Sequence, residues 1–161
     1  MWQILQDIGK VTLSKYSGKL KALIDSAKGD ALNLLELIVK NYPSFNDISI
    51  YKNREVYFQK RVQLLVYDIG SEFTNLKNLD QLTACADYKL PQILRRFGIF
   101  VYTPELANKI DNKFEIPANT DEEIEIRANT IWAVEFMKDE IKKRNPDITS
   151  MKIDDHLWLA S

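Results

Sequence analysis

The stretch that most narrows the fold lies near the end of the chain, where one long helix is spelled out from cap to cap. Thr120-Asp121-Glu122-Glu123 sets a capping threonine three residues ahead of an acid, the pattern of a capping box. Lys142-Lys143-Arg144 gathers positive charge before Pro146, so both ends suit the helix dipole. Ile124, Ile131, Val134, Met137 and Ile141 recur between these ends at helical spacing, which predicts a helix over 121–143 with those residues buried.

Much of the remaining chain keeps the same period, and Gly and Pro number only 5 each. Asp30 reads as an N-cap ahead of Leu32, Leu34, Leu35, Leu37, Ile38 and Val39, and Tyr42-Pro43 ends that helix. An earlier helix over 19–28 stops at Gly29. The two form a helical hairpin with Leu20, Leu23, Ile24, Leu34 and Ile38 facing inward. Residues 43–47 are a loop, and the β-branched Ile48-Ser49-Ile50-Tyr51 suits extended backbone. Helical spacing returns from about Val56 to Phe73 through Val62, Leu65, Val66 and Ile69. Leu90 precedes Pro91 and is biased away from helix, so Pro91 opens a helix that runs to Phe97 and closes at Gly98. A short helix is expected over 104–111. The expected class is all-α, a single helical domain over residues 1–161.

Charge and cysteine content exclude several functions. Lys and Arg total 22 against 23 Asp and Glu, a net charge of −1. That balance argues against a dedicated nucleic-acid or membrane surface. Cys85 is the one cysteine, so no internal disulfide forms and a reducing, cytoplasmic setting is expected. Met1 to Ile8 is short, mixed and carries Asp7, unlike a signal peptide. No apolar run approaches the ~18 residues of a membrane helix; Leu64-Leu65-Val66-Tyr67 stops at Asp68. One His and one Cys cannot build a His/Cys metal site, and neither a metal nor a cofactor is expected. A Ser-His-Asp triad would have to draw on His156, close to the C-terminus, and is disfavoured. No Walker loop or GxGxxG occurs. Catalysis must then rest on carboxylates, lysine and positioning.

Taken alone, the residues that could supply it have bland readings too. Asp87 sits just outside a helix start, after the small residues Thr83-Ala84-Cys85-Ala86. Spacing favours a carboxylate that satisfies backbone N–H groups there, with a catalytic carboxylate on a braced loop as the alternative. Lys60 and Arg61, with Gln63 and Tyr67 on the same flank, read as a solvated basic patch or as part of a site. Asp68 follows an apolar run and is expected to lie partly inward. Glu123 and Arg127 form an i,i+4 pair of the kind that decorates helix surfaces. Trp158 is expected to anchor the chain end in the core.

Several motifs in order point further. Tyr57-Phe58-Gln59-Lys60-Arg61-Val62-Gln63 running to Asp68, Ala86-Asp87-Tyr88-Lys89-Leu90-Pro91-Gln92, Glu123-Ile124-Glu125-Ile126-Arg127 and Asp154 with Leu157-Trp158 together resemble the queuosine salvage proteins, over nearly the whole chain. Tyr16-Ser17-Gly18, Pro43-Ser44-Phe45-Asn46-Asp47, Gly98 with Val101-Tyr102, and Ala133-Val134-Glu135 fit as well. The resemblance implies an all-helical fold similar to helical DNA glycosylases, here the C-terminal portion without the family's N-terminal portion. It implies hydrolysis of queuosine 5′-phosphate to queuine and ribose 5-phosphate, with a small-molecule nucleotide as partner. Asp87 matches the motif aspartate that would stabilise or trap an oxocarbenium-like state or activate water. Lys60 matches the motif lysine that would keep that carboxylate ionised and oriented. Cys85, Tyr88, Asp154 and Trp158 would contact substrate. Cys85 stands where relatives commonly have Phe, removing an aromatic face, and Lys89 replaces the usual Arg, removing a bidentate contact. The alternative is a truncated or split non-enzymatic relative that needs an N-terminal partner segment.

Overall fold

The computed structural model describes residues 2–160. The chain divides into two units: residues up to Asp47 together with Gln59–Leu82, and Ile48–Phe58 together with the residues from Thr83 onward.

The first unit holds α1 (Trp2–Tyr16), α2 (Leu20–Ser26), α3 (Ala31–Asn41) and α4 (Lys60–Asp68). Sequence spacing does not reveal α1; it ends where Ser17 and Gly18 turn left-handed and the Gly18 N–H reaches back to the Thr12 carbonyl at 2.9 Å. Lys28 and Gly29 take the same left-handed backbone between α2 and α3. Asp30 caps α3 as its position predicts, accepting the Asn33 N–H at 3.0 Å and the Asn78 amide at 2.6 Å. Those bonds, the Asn33 backbone first, hold its carboxyl below the usual range. Leu23, Leu34 and Ile38 are buried, but Leu20, the first residue of α2, is exposed.

The helix expected from Val56 starts only at Lys60, because residues 54–57 are a strand and Gln59 turns the chain through a left-handed φ of 49°. α4 buries Val62, Gln63 and Val66. Asp68, about 200° further round than Val66 at 100° per residue, is exposed rather than turned inward. The helix then widens into a π-helical turn over Ile69–Phe73. Gly70 lets the Leu79 side chain pack close: a Cβ there would lie 2.6 Å from the leucine methyls, which would have to shift.

The second unit opens with a hairpin, β1 (Ile48–Tyr51) antiparallel to β2 (Arg54–Tyr57), with Ile48 opposite Tyr57. Lys52 and Asn53 both have positive φ, which suits a two-residue hairpin turn. The chain is therefore mostly helical with a small two-stranded sheet, not strictly all-α. Four helices complete the unit: α5 (Lys89–Arg96), α6 (Pro104–Asp111), α7 (Asp121–Lys142) and α8 (Ser150–Leu159).

Contrary to the pre-proline bias, Leu90 is helical. Pro91 falls at the third helical position, where its missing N–H costs no intrahelical bond. α6 and α7 match their expected spans to within a residue. The α7 cap is reciprocal but shifted: Thr120 Oγ1 accepts the Glu123 N–H at 3.4 Å, while Glu123 Oε2 accepts from Asn119 at 3.1 Å. Ile124 and Val134 are fully buried; Ile131, Met137 and Ile141 are partly so. Leu90, Ile93 and Leu94 of α5 meet Val134 of α7 and Ile153 and Leu157 of α8 in one apolar cluster. Arg95 bonds both Asp111 oxygens at 2.7 and 3.1 Å, holding that carboxyl below its usual range. α8 has no counterpart in the sequence reading. Leu157, rather than Trp158, anchors the end of the chain, and Trp158 remains 46% exposed at the margin of the buried face. Among the described residues no helix is long and apolar enough to cross a membrane.

Candidate active site

Residues 83–88 connect to α5 with no helical or sheet pairing of their own, yet Ala84, Cys85 and Ala86 are buried. Buried peptide groups require partners. Two come from side chains far away in sequence. The carboxylate of Asp154 in α8, itself buried, accepts the Cys85 N–H. Nε of Arg127 in α7 donates to the Ala86 carbonyl at 3.3 Å. Cys85 Sγ rests 3.9 Å from the Met151 sulfur in the same buried layer.

The next residue is Asp87. Its Oδ1 accepts the N–H groups of Lys89 and Leu90 at 2.8 and 3.2 Å, across the first turn of α5. That is the helix-start role that spacing favoured, and it fixes the carboxylate at a defined position on the loop. Tyr88 is 71% exposed. Lys89 lays its ammonium 4.0 Å from the centre of the Trp158 ring, so the tail of α8 meets the start of α5.

The second unit thus brings five of the sequence candidates onto one loop and one helix: Cys85, Asp87, Tyr88, Asp154 and Trp158. Cys85 and Asp154 are buried, whereas Tyr88 and Trp158 are accessible. Lys60 belongs to the first unit, at the first position of α4. There its N–H donates to Asp47 Oδ2 at 3.3 Å, the Gln59 N–H donates to the Asp47 carbonyl at 3.2 Å, and the Arg61 guanidinium donates to the Ser44 carbonyl.

Arg127 is the residue that the surface-pair reading missed. Its Nη1 lies 3.5 Å from Glu123 Oε1 as the i,i+4 spacing suggests, but the side chain is only 15% exposed. Its guanidinium stacks 3.9 Å from the centre of the buried Phe58 ring. The signal was available in sequence: Arg127 is three residues after Ile124 and four before Ile131, on the inward face of α7.

On the other side of α7, Trp132 and Phe136 are 60% and 64% exposed. With Ile99, Tyr102, Ile126 and Met137 they line an open, largely apolar groove of about 780 Å³. Burial pushes the Tyr102 phenol above its ordinary pKa, an effect partly offset by Arg95 over its ring.

The family model described as queuosine salvage protein matches residues 1–161. The chain is 37% identical over 161 residues to the queuosine 5′-phosphate N-glycosylase/hydrolase of Sphaerobacter thermophilus, and 37% identical over 161 residues to that of Dictyostelium discoideum. A Mus musculus protein of the same name is 35% identical over 169 residues. Each comparison covers 97% of this chain and 50% of the relative, so the chain spans about half the length of the curated relatives it matches. With the site loop in place and the match running the length of the chain, it belongs to the queuosine salvage protein family.

Proposed function

We propose that this chain carries the reactive carboxylate of a queuosine 5′-phosphate N-glycosylase/hydrolase, releasing queuine and ribose 5-phosphate as water adds across the N-glycosidic bond. The observation that carries this reading is the placement of Asp87, on a buried-backbone loop in the family's motif, with one oxygen set by the first turn of α5. Breaking an N-glycosidic bond builds positive charge on the sugar, and a carboxylate held in advance stabilises that charge without reorganising. Asp87 takes this role, either trapping the sugar or taking a proton from the attacking water. Lys60 matches the family's motif lysine and is the second catalytic residue of this proposal.

The accessible Tyr88 and Trp158 serve as substrate contacts, while the buried Cys85 and Asp154 act by setting the loop. The architecture would be that of the helical DNA glycosylases, acting on a free nucleotide rather than on DNA. The cytoplasm is the setting, with no cofactor required. Incubating the 161-residue chain with queuosine 5′-phosphate should release queuine, detected by chromatography, and Asp87→Asn should lower the rate by about 10²–10⁴. Undiminished release by Asp87→Asn would remove the assignment.

A second reading is that the chain works only with an N-terminal partner polypeptide. Two observations favour it: the relatives are about twice as long, and α7 is apolar on two sides, with Trp132 and Phe136 exposed beside the groove. A helix with apolar residues on both sides is normally covered on both. On this reading the groove seats an apolar segment of the polypeptide that the longer relatives carry beyond the matched half. Co-expression with the unmatched half of the Sphaerobacter thermophilus relative should give a one-to-one complex. Trp132→Glu with Phe136→Glu should abolish that complex while leaving the helical content of the chain unchanged. A complex that survives both substitutions, or a wild-type chain that instead pairs with itself through this face, rules the assignment out.

A further inference from the structure

We propose that Arg127 is a positioning residue for Asp87, holding the peptide that joins Ala86 to Asp87 in the orientation that hydrolysis needs; this rests on the reading of Asp87 given above. The bond from Arg127 Nε ends on the carbonyl of Ala86, the residue immediately before Asp87. Rotation of that peptide plane would swing Asp87 relative to α5, and the 3.3 Å contact opposes the rotation from one side. Asp154 fixes the chain further back, through the N–H of Cys85 in the peptide that joins Ala84 to Cys85. Asp87 then closes the turn onto Lys89 and Leu90.

Three contacts hold Arg127 in turn, each using a different part of the guanidinium. Its face lies on the Phe58 ring, Nη1 meets Glu123, and Nε is left in line with the Ala86 carbonyl. Glu123 is itself tied to the α7 cap through the Asn119 N–H. The start of α7 is thereby connected to the site loop through side chains alone. A planar fork can stack, pair and donate in three directions at once, which a lysine ammonium cannot. Phe58 contributes from the end of the hairpin, so the segment preceding the Lys60 motif has a part in setting the loop that carries Asp87.

The test compares Arg127→Ala and Arg127→Lys with wild type in the full chain, using two readouts. Amide hydrogen exchange should speed up about tenfold or more over residues 83–90 in Arg127→Ala, while amides in α8 and the middle of α7 stay within about twofold. With queuosine 5′-phosphate, kcat should fall about 100-fold with KM within about threefold, as expected for a misplaced reacting group. Arg127→Lys should recover less than about a tenth of the loss. Unchanged exchange in the loop overturns the proposal. So does a parallel rise across the whole unit, which would mark Arg127 as a general stability residue, and so does full rescue by lysine. If wild type releases no queuine and the loop still loosens in Arg127→Ala, the glycosidase reading fails while the clamp on the loop stands.

Discussion

The two segments that carry the motif residues are held by different means. Asp87 lies on a loop whose peptide groups are gripped by side chains 41 and 69 residues away in sequence, Arg127 and Asp154. Lys60 begins a helix whose first turn is tied to Asp47, 13 residues earlier, and to Ser44. The first arrangement depends on three elements of its unit docking correctly, because Phe58 and helices α7 and α8 must all be in place before the loop is fixed. The second is nearer to local chain geometry, a left-handed Gln59 followed by a helix whose N–H groups find an acid. Rigidity built from distant contacts is cooperative with the core beneath it. Rigidity built from near neighbours is separable from the core.

That difference is open to direct attack. Asp154→Ala leaves the Cys85 N–H buried without its carboxylate and should cost about 1.5–3 kcal/mol in denaturant unfolding, together with faster exchange over residues 83–90. A loss confined to α8, with the loop unaffected, would break the comparison. The smaller effect is expected at Asp47. Asp47→Ala removes an acceptor at a half-exposed helix start that water can replace, and should cost about 0.5–1.5 kcal/mol. Faster exchange should be confined to the first turn of α4. If Asp47→Ala proves as costly as Asp154→Ala, the start of α4 is as cooperative with its core as the Asp87 loop, and the distinction between near and distant ties fails.

Readability from sequence follows the same division. Asp30 and Thr120 are caps whose action lies within a few residues, so α3 and α7 fall close to their expected spans. α1 and α8 escaped because their apolar residues form no clean buried stripe: Trp2, Leu5 and Leu13 of α1 and Trp158 and Leu159 of α8 are exposed. The strand β2 escaped because Val56 fits a helical stripe as readily as a hairpin. Only pairing with β1, with Lys52 and Asn53 turning left-handed between them, selects the hairpin. Asp87 could be placed at a helix start from Pro91 alone, and the motif resemblance supplied its proposed role.

By itself the sequence determined the helical class, most caps, the balanced charge and the order of motifs that marks the family. Tertiary structure decided which side chains support the site loop. It took Arg127 from an expected surface pair to a buried contact over Phe58, and Asp154 from a matched motif residue to the partner of the Cys85 N–H. The physical reason is that an unpaired buried peptide group is costly, but which side chain relieves it depends on which elements dock together. Neither spacing nor propensity carries that information.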